Sequence, residues 1–304
     1  MNSFDVIDDD VEEFVSWRSS GSSYRHRGHN IFWRDGGTGT GETLVCIHGF
    51  PTASWDWHAI WPGLTERFGR VIAPDMIGFG WSAKPRGYDY SIFDQADLHE
   101  NLLREQGVGS YHILAHDYGD SVAQELLARH DERRGAGDNS LLVKSVCLLN
   151  GGLFPETHRP RLIQRLLLTP AGSVVAAMLT ERAFVRSLAA VFGPQTRPTS
   201  QEMHQFWRLF SHDGGYRNGH RLARGITERV ENRQRWVGAL QRKGVPVRVI
   251  DGPLDPISGA HMVERYRELV PDPDIVLLPG IGHYPHVEDP DATLNAFLEF
   301  HAWR

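Results

Sequence analysis

An α/β fold, built on a mainly parallel sheet covered by helices on both faces and interrupted by one helical insertion, is the class the sequence predicts. Two observations carry it. Short apolar runs, "TLVCIHGF", "RVIAPDM", "YHILAHD" and "VKSVCLLNGG", alternate with amphipathic stretches of helical spacing. That is the pattern of strands buried on both faces by crossover helices. The alternation stops near Gly152 and resumes at "VPVRVIDG".

The elements follow in order. Residues 1–13 are acidic and expected to fray. Stretches 14–19 and 24–34, with Gly21 between them, read as antiparallel strands. "DGGTGTGE" is a loop; it precedes a strand, the reverse of the order a phosphate-binding loop needs. After "TLVCIHGF", residues 53–68 read as a helix whose Trp55, Trp57 and Trp61 pack on the sheet. Strand "RVIAPDM", helix 91–106, strand "YHILAHD", helix 119–134 and strand "VKSVCLLNGG" come next. Residues 153–244 carry helical patterns broken by Pro160, Pro170, Pro194 and Pro198, with no strand signal. Strand "VPVRVIDG", helix 260–269, strand "DIVLLPG" and a helix from Pro290 complete the chain. The expected organisation is a core of 1–152 and 245–304 with a helical cap, 153–244, inserted in it. The insertion holds 15 Lys and Arg against 6 Asp and Glu, a net +9, so the rest carries −15. The preferred reading of this excess is a set of solvated helix faces; the alternative is a field that favours anionic substrates or a surface partner.

Composition narrows the function classes. A chain of 304 residues with 40% hydrophobic content buries a large core. The net charge of −6 argues against a general nucleic-acid binder. Cys46 and Cys147 each fall in a strand-like run and read as buried free thiols in a reducing compartment. No secretory h-region opens the chain, and no apolar run reaches the roughly 18 residues of a spanning helix. The reading is a soluble, cytoplasmic protein. No Cys/His cluster has metal spacing, and no cofactor is implied.

Chemistry gathers at strand ends, where ligands sit in open α/β sheets. Four groups fall there: His48–Phe50, Asp117, Asp255 in "DGPLDPIS" and His283 in "PGIGHYPHVEDP". Their order, nucleophile, acid, histidine, is that of a strand–turn–helix nucleophile elbow with its partners. Asp117 stands at the elbow in "AHDYGD", flanked by small residues because the backbone there turns sharply. A helix-capping aspartate would use the same position; the downstream Asp255 and His283 favour the catalytic reading. His116 and His286 read as supporting or packing residues. The backbone N–H groups of Phe50 and Tyr118 form a plausible oxyanion hole.

"HGFPTASWDW", "DMIGFGWSAKP", "AHDYGD", "GPLDP" and "GIGHYPHVEDP" resemble the α/β-hydrolase superfamily over nearly the whole chain. Within it they resemble the branch with an Asp nucleophile, which includes epoxide hydrolases and haloalkane dehalogenases. "HDYGDSVAQELLAR", "NGGLFPETHRP", "VFGPQTRP" and "RQRWVGAL" are similar to stretches of the mesoderm-specific transcript protein family. The hydrophobic membrane segment of that family's vertebrate members is not visible here. The resemblance implies the α/β-hydrolase fold and a triad of Asp117, Asp255 and His283. It reads the loop Asp75, Gly78, Gly80, Ser82 as structural.

An aspartate suits displacement at an sp³ carbon. A carboxylate is nucleophilic without a base, and its alkyl ester is then cleaved by water that a histidine activates. The substrate expected is a small apolar molecule. The resemblance ranks epoxide hydrolysis first, because "HGFP" is the epoxide-hydrolase form. Haloalkane dehalogenation comes second, since the halide-donor positions hold Tyr118 and Phe50. Ester or lactone hydrolysis and a non-catalytic scaffold follow. An epoxide needs a proton on its oxygen, which the resemblance assigns to lid tyrosines. Tyr216 is the one tyrosine in the insertion and the candidate acid, with His204, His212 or His220 as substitutes.

Overall fold

Eight strands form one sheet in the computed structural model, which describes residues 5–302. They are β1 (Ser22–His26), β2 (His29–Gly36), β3 (Thr43–Ile47), β4 (Arg70–Pro74), β5 (Ser110–His116), β6 (Leu142–Leu149), β7 (Val247–Asp251) and β8 (Asp274–Leu277). Their order across the sheet is β1-β2-β4-β3-β5-β6-β7-β8. β1, β2 and β4 pair antiparallel and every later pair is parallel. The order reverses around β3, which lies between β4 and β5. The C-terminal ends of β3 and β5 therefore border the crevice where such sheets bind ligands.

Two expectations near the N-terminus are corrected. Residues 14–19 are not a strand but the end of a helix, α1 (Asp5–Ser19). Phe14 and Trp17, three apart, are both buried and meet the Trp55 ring at 5.2 and 5.6 Å. That spacing is helical, but two residues are too few to separate it from a strand. Of the acidic stretch expected to fray, residues 1–4 lie outside the described residues and 5–13 belong to α1. Residues 24–34 are not one strand either. They hold a hairpin turn at Arg27 and Gly28, both at positive φ (46° and 83°), with His26 opposite His29.

The core helices are α2 (Trp61–Arg67), α3 (Ile92–Glu105), α4 (Tyr118–Gly135), α12 (Ala260–Leu269), α13 (Pro285–Glu288) and α14 (Pro290–Ala302). A 3₁₀ turn, Ser54–Ile60, precedes α2; with Trp61 it buries the three tryptophans against the sheet side. Ser91 caps α3 by accepting the N–H of Asp94 at 3.1 Å. Asp75 receives the N–H groups of Ser54 (2.8 Å) and Trp81 (2.7 Å), and so ties its loop to the turn before α2. Cys46 and Cys147 are free and buried.

Between β6 and β7 the described residues form helices joined by turns and loops, with no strand. They are α5 (Leu162–Leu167), α6 (Gly172–Ala177), α7 (Glu181–Ala189), α8 (Ser200–Ser211), a 3₁₀ turn (His212–Asn218), α9 (Gly219–Leu222), α10 (Gly225–Glu231) and α11 (Arg233–Gln241). The insertion is docked by charge on α4. Buried Glu125 accepts from Arg235 Nε (2.6 Å), Arg129 Nε (2.8 Å) and Trp236 Nε1 (2.9 Å), while Arg242 pairs with Asp131 at 2.8 Å. Part of the positive excess of the insertion thus meets acids of the core.

Candidate active site

Asp117 joins β5 to α4 at φ 48° and ψ −106°. L-residues rarely adopt this conformation, and it lifts the carboxylate clear of the sheet. The turn is made possible by missing side chains. A Cβ on Gly119 would come within 2.3 Å of the Ile47 carbonyl oxygen, and one on Gly49 within 2.6 Å of His116 Nδ1. The Asp117 N–H donates to the Leu149 carbonyl at 3.1 Å, pinning the turn to the end of β6.

Its two carboxylate oxygens have different surroundings. Oδ2 accepts the Phe50 N–H at 3.1 Å. Oδ1 lies 3.8 Å from His283 Nε2 and 4.0 Å from Arg229 Nη2. Tyr118 is the first residue of α4, so its N–H has no acceptor within the helix; its hydroxyl donates to the Tyr90 carbonyl at 3.1 Å.

His283 is fixed from behind. Its Nδ1 donates to Asp255 Oδ2 at 2.7 Å. Asp255 is held in turn by the N–H groups of Ile257 (2.7 Å) and Ser258 (3.1 Å), the Ser258 hydroxyl (2.9 Å) and the Asn150 amide (3.2 Å). Glu288 accepts the N–H groups of Gly193, Gly282 and Tyr284 at 2.8–2.9 Å, and so clamps the loop that carries His283. His116 Nε2 donates to the His283 carbonyl at 2.8 Å. The triad predicted from sequence is thus brought together, and His116 supports it.

The electrostatics are those of a buried acid–base–acid row. Burial alone would lower the His283 pKa, but Asp255 first and Asp117 next push it up to about 9. Burial alone would raise the Asp117 carboxyl, but His283 and Arg229 hold it below the usual carboxylate range. Asp255 is depressed likewise by His283 and its donors.

A cleft opens over Asp117 and His283. Its walls are mostly apolar, with Phe50, Leu167, Phe184, Leu188 and Tyr284 among them, and a few polar groups such as Gln164. That make-up, apolar walls with a few polar groups, is that of a small-molecule site. A smaller lobe on the other side of Asp117 is closed by Tyr118, Ile226 and Arg229. Tyr216 borders neither space. It packs on Trp207 with ring centroids 5.8 Å apart and carries Arg217 over its face. The sequence expectation of a tyrosine acid over the pocket is therefore corrected, because the turn that carries Tyr216 faces Trp207 instead. His204, His212 and His220 do not line the cleft either.

Sequence reasoning missed Arg229. It reaches in from α10, is 5% exposed, and donates through Nε to the Ser121 hydroxyl at 2.6 Å and through Nη2 to the Asp117 carbonyl at 3.4 Å. A signal for it was present in "NGG": a Cβ on Gly152 would strike Arg229 Nη1 at 2.6 Å. Among the described residues, Asp56, His116 and His286 bring possible metal-ligating atoms within 4.8 Å of one another. Their distance in sequence hid the group. Burial drives the His116 imidazole down to about 3, lowers His286 and raises Asp56, so all three favour their neutral forms beneath the triad.

The mainly parallel sheet, with Asp117, Asp255 and His283 gathered at its strand ends, has the architecture of an α/β hydrolase, and residues 44–296 match the alpha/beta hydrolase family. The chain belongs to that family. Within it the chain is a relative of the mesoderm-specific transcript protein of Mus musculus, 46% identical over 295 residues that cover 94% of this chain and 87% of that one. The putative hydrolase LipZ of Mycobacterium tuberculosis is 35% identical over 282 residues, 93% of this chain and 96% of that one. Among solved structures, a loop variant of the haloalkane dehalogenase DbeA from Bradyrhizobium elkanii superposes with a TM-score of 0.77 at 24% identity, covering 93% of this chain and 96% of that one. The epoxide hydrolase CorEH superposes with a TM-score of 0.73 at 21% identity, covering 93% and 98%. These two likenesses speak for the fold.

Proposed function

We propose that this protein is a hydrolase alkylated on Asp117 and released by water that His283 activates, with an epoxide on a small apolar molecule as the favoured substrate. The insertion 153–244 serves as the cap over the cleft. The observation that carries the reading is the row Asp255, His283, Asp117. His283 Nδ1 is bonded to Asp255, while its Nε2 stands 3.8 Å from Asp117 Oδ1. That is too long for a hydrogen bond and leaves room to serve a water.

In the first step Asp117 Oδ1 attacks a ring carbon and the carbon–oxygen bond breaks. Oδ2 becomes the carbonyl oxygen of the ester, already held by the Phe50 N–H. In the second step His283 takes a proton from water. The hydroxide attacks the Asp117 carbonyl carbon, and the N–H groups of Phe50 and Tyr118 hold the oxyanion, each contributing about 3 kcal/mol. The oxyanion collapses, the bond between the carbonyl carbon and the substrate oxygen breaks, and the departing alkoxide takes the proton that His283 drew from water; the Asp117 carboxyl then gives its own proton to His283.

Proton balance favours the epoxide. His283 holds a proton between two carboxylates in the free enzyme. Alkylation removes the charge of Asp117, so His283 gives that proton up and becomes a base. An opened epoxide takes up one proton, and hydrolysis of the ester returns one to the Asp117–His283 pair. A halide takes none. Halide displacement is the second reading, supported by Arg229, whose guanidinium beside Asp117 suits a departing anion. A complete triad argues against a scaffold.

The experiment is alkylation of His283→Gln by 1,2-epoxyhexane, read by intact mass and peptide mapping. The expected result is one adduct, on a peptide containing Asp117, formed more slowly than in wild type because water must supply the proton that His283 gives, and accumulating because hydrolysis is blocked. Turnover by Asp117→Ala at the wild-type rate overturns the reading.

A further inference from the structure

The first part of the insertion, residues 157–200, which carries α5 and α7 beside the cleft, differs in charge from the part that follows. Residues 157–200 hold six arginines, Arg159, Arg161, Arg165, Arg182, Arg186 and Arg197, and one acid, Glu181. Glu181 is bonded to His204. None of the six forms an ion pair among the described residues, whereas Arg233, Arg235 and Arg242 further along pair with Glu156, Glu125 and Asp131.

Exposed apolar side chains stand between these arginines. Leu162 is 73% exposed, Val174 58% and Met178 75%, and Leu166 and Leu168 are also exposed. The four-residue spacings of Leu162 with Leu166 and of Val174 with Met178 put each pair on one side of its helix. The inner sides of α5 and α6 already have their own core of Leu167, Ala176 and Ala223, joined by Ile163 and Val175. The outward leucines and methionine therefore contribute nothing to the fold. Of these two helices α5 also lines the cleft, through Ile163, Gln164 and Leu167. An apolar surface thus runs from the outside of the insertion to the space above Asp117.

We propose that this face docks on an anionic lipid surface, and that apolar substrate enters the cleft from it. The apolar side chains enter the boundary of the acyl chains while the arginines bind headgroup phosphates and carboxylates. A nucleic acid or an acidic protein would satisfy the arginines but leave Leu162 and Met178 in water. A second copy would set unpaired arginines against unpaired arginines. The chain as a whole is −6 and the insertion +9, so an anionic surface orients the molecule with the insertion towards it. Docking is independent of the chemistry at Asp117; substrate entry rests on the cleft being the active site as proposed above.

The test is sedimentation of the full chain with phosphatidylcholine vesicles, with and without phosphatidylserine, at low and high salt. Wild type should sediment with the phosphatidylserine vesicles and be released by salt. Leu162→Asp with Met178→Asp should weaken this by roughly 10-fold or more. Arg165→Glu with Arg182→Glu should abolish the preference for phosphatidylserine. None of these four side chains lines the cleft, so both variants should keep wild-type turnover of dissolved 1,2-epoxyhexane. Equal sedimentation of wild type and variants overturns the proposal. So does a wild type that stays in the supernatant, including one that instead forms a dimer which Leu162→Asp disrupts. Vesicle binding is read without catalysis, so a failure of the Asp117 chemistry shows up separately in the mass assay.

Discussion

At Asp117 one side chain is given two neighbours that act at different moments of a reaction. Arg229 and His283 both face Oδ1, and the His283 pKa of about 9 depends partly on the Asp117 charge. An alkyl ester on Asp117 removes that charge. We therefore predict that hydrolysis of a preformed ester, followed by single-turnover quench, titrates with a lower apparent pKa than alkylation of the free enzyme does. Equal pKa values for the two steps would contradict the coupling. A second prediction separates Arg229 from Tyr216. In a His283→Gln background, Arg229→Met should slow adduct formation by roughly 10²-fold, the scale of losing one charge-stabilising donor. Arg229→Lys should lose less, and Tyr216→Phe should change nothing. Slowing by Tyr216→Phe equal to that by Arg229→Met would return the acid role to the tyrosine. Asp117, Asp255 and His283 were legible because each stands in the loop or turn that follows an apolar run. Arg229 was not, because the sequence around it, "GITERVEN", is that of an ordinary solvated helix, and only the folded insertion turns it inward.

Elements were legible where periodicity had length to show itself. β3, β5 and β6 each hold an unbroken apolar stretch of three or four residues, and α4 is long. α1 was misread because its described buried face rests on Phe14 and Trp17 alone, and the β1–β2 turn was missed because Arg27 adopts a positive φ that its side chain does not advertise. The β5–α4 junction gives a direct test of packing. Gly119 is tied to the end of β3, where the Ile47 and His48 carbonyl oxygens leave no space for a Cβ. Gly119→Ala should destabilise by about 1–3 kcal/mol, the usual cost of overpacking, seen as a lower denaturant midpoint at unchanged slope. The α4–α11 contact tests charge. Glu125 is buried and serves Arg129, Arg235 and Trp236. Glu125→Gln should cost about 3 kcal/mol, the lower end for removing one partner of a buried pair, since both arginines keep some access to water. A midpoint unchanged by this substitution would mean that the insertion docks on apolar contacts alone.

For the whole molecule, the buried triad makes stability depend on pH in a definite direction. The folded His283 pKa of about 9 lies above the ordinary histidine value of about 6.5. A raised pKa means that the folded state binds the proton more tightly. The stabilisation is complete below about pH 6.5 and is lost as pH rises through about 9. Asp117 and Asp255 are shifted the other way. Their contribution is present above the ordinary carboxylate range and is lost as acid protonates them. The row therefore contributes most between about pH 4 and 6.5 and weakens on both sides. Several other buried groups titrate in this protein, among them Lys84, lowered to about 8, and Glu228, raised to about 7, so the wild-type curve alone cannot isolate the triad. The difference between wild type and His283→Gln can. From pH 6.5 to 9 the wild type should lose roughly 3 kcal/mol more unfolding free energy than the variant, the equivalent of a shift of about 2.5 pKa units. Urea unfolding at a series of pH values measures it. Parallel curves for the two proteins across that window would mean that His283 is neutral in the free enzyme. The proton balance that favours an epoxide over a halide would then fall with it.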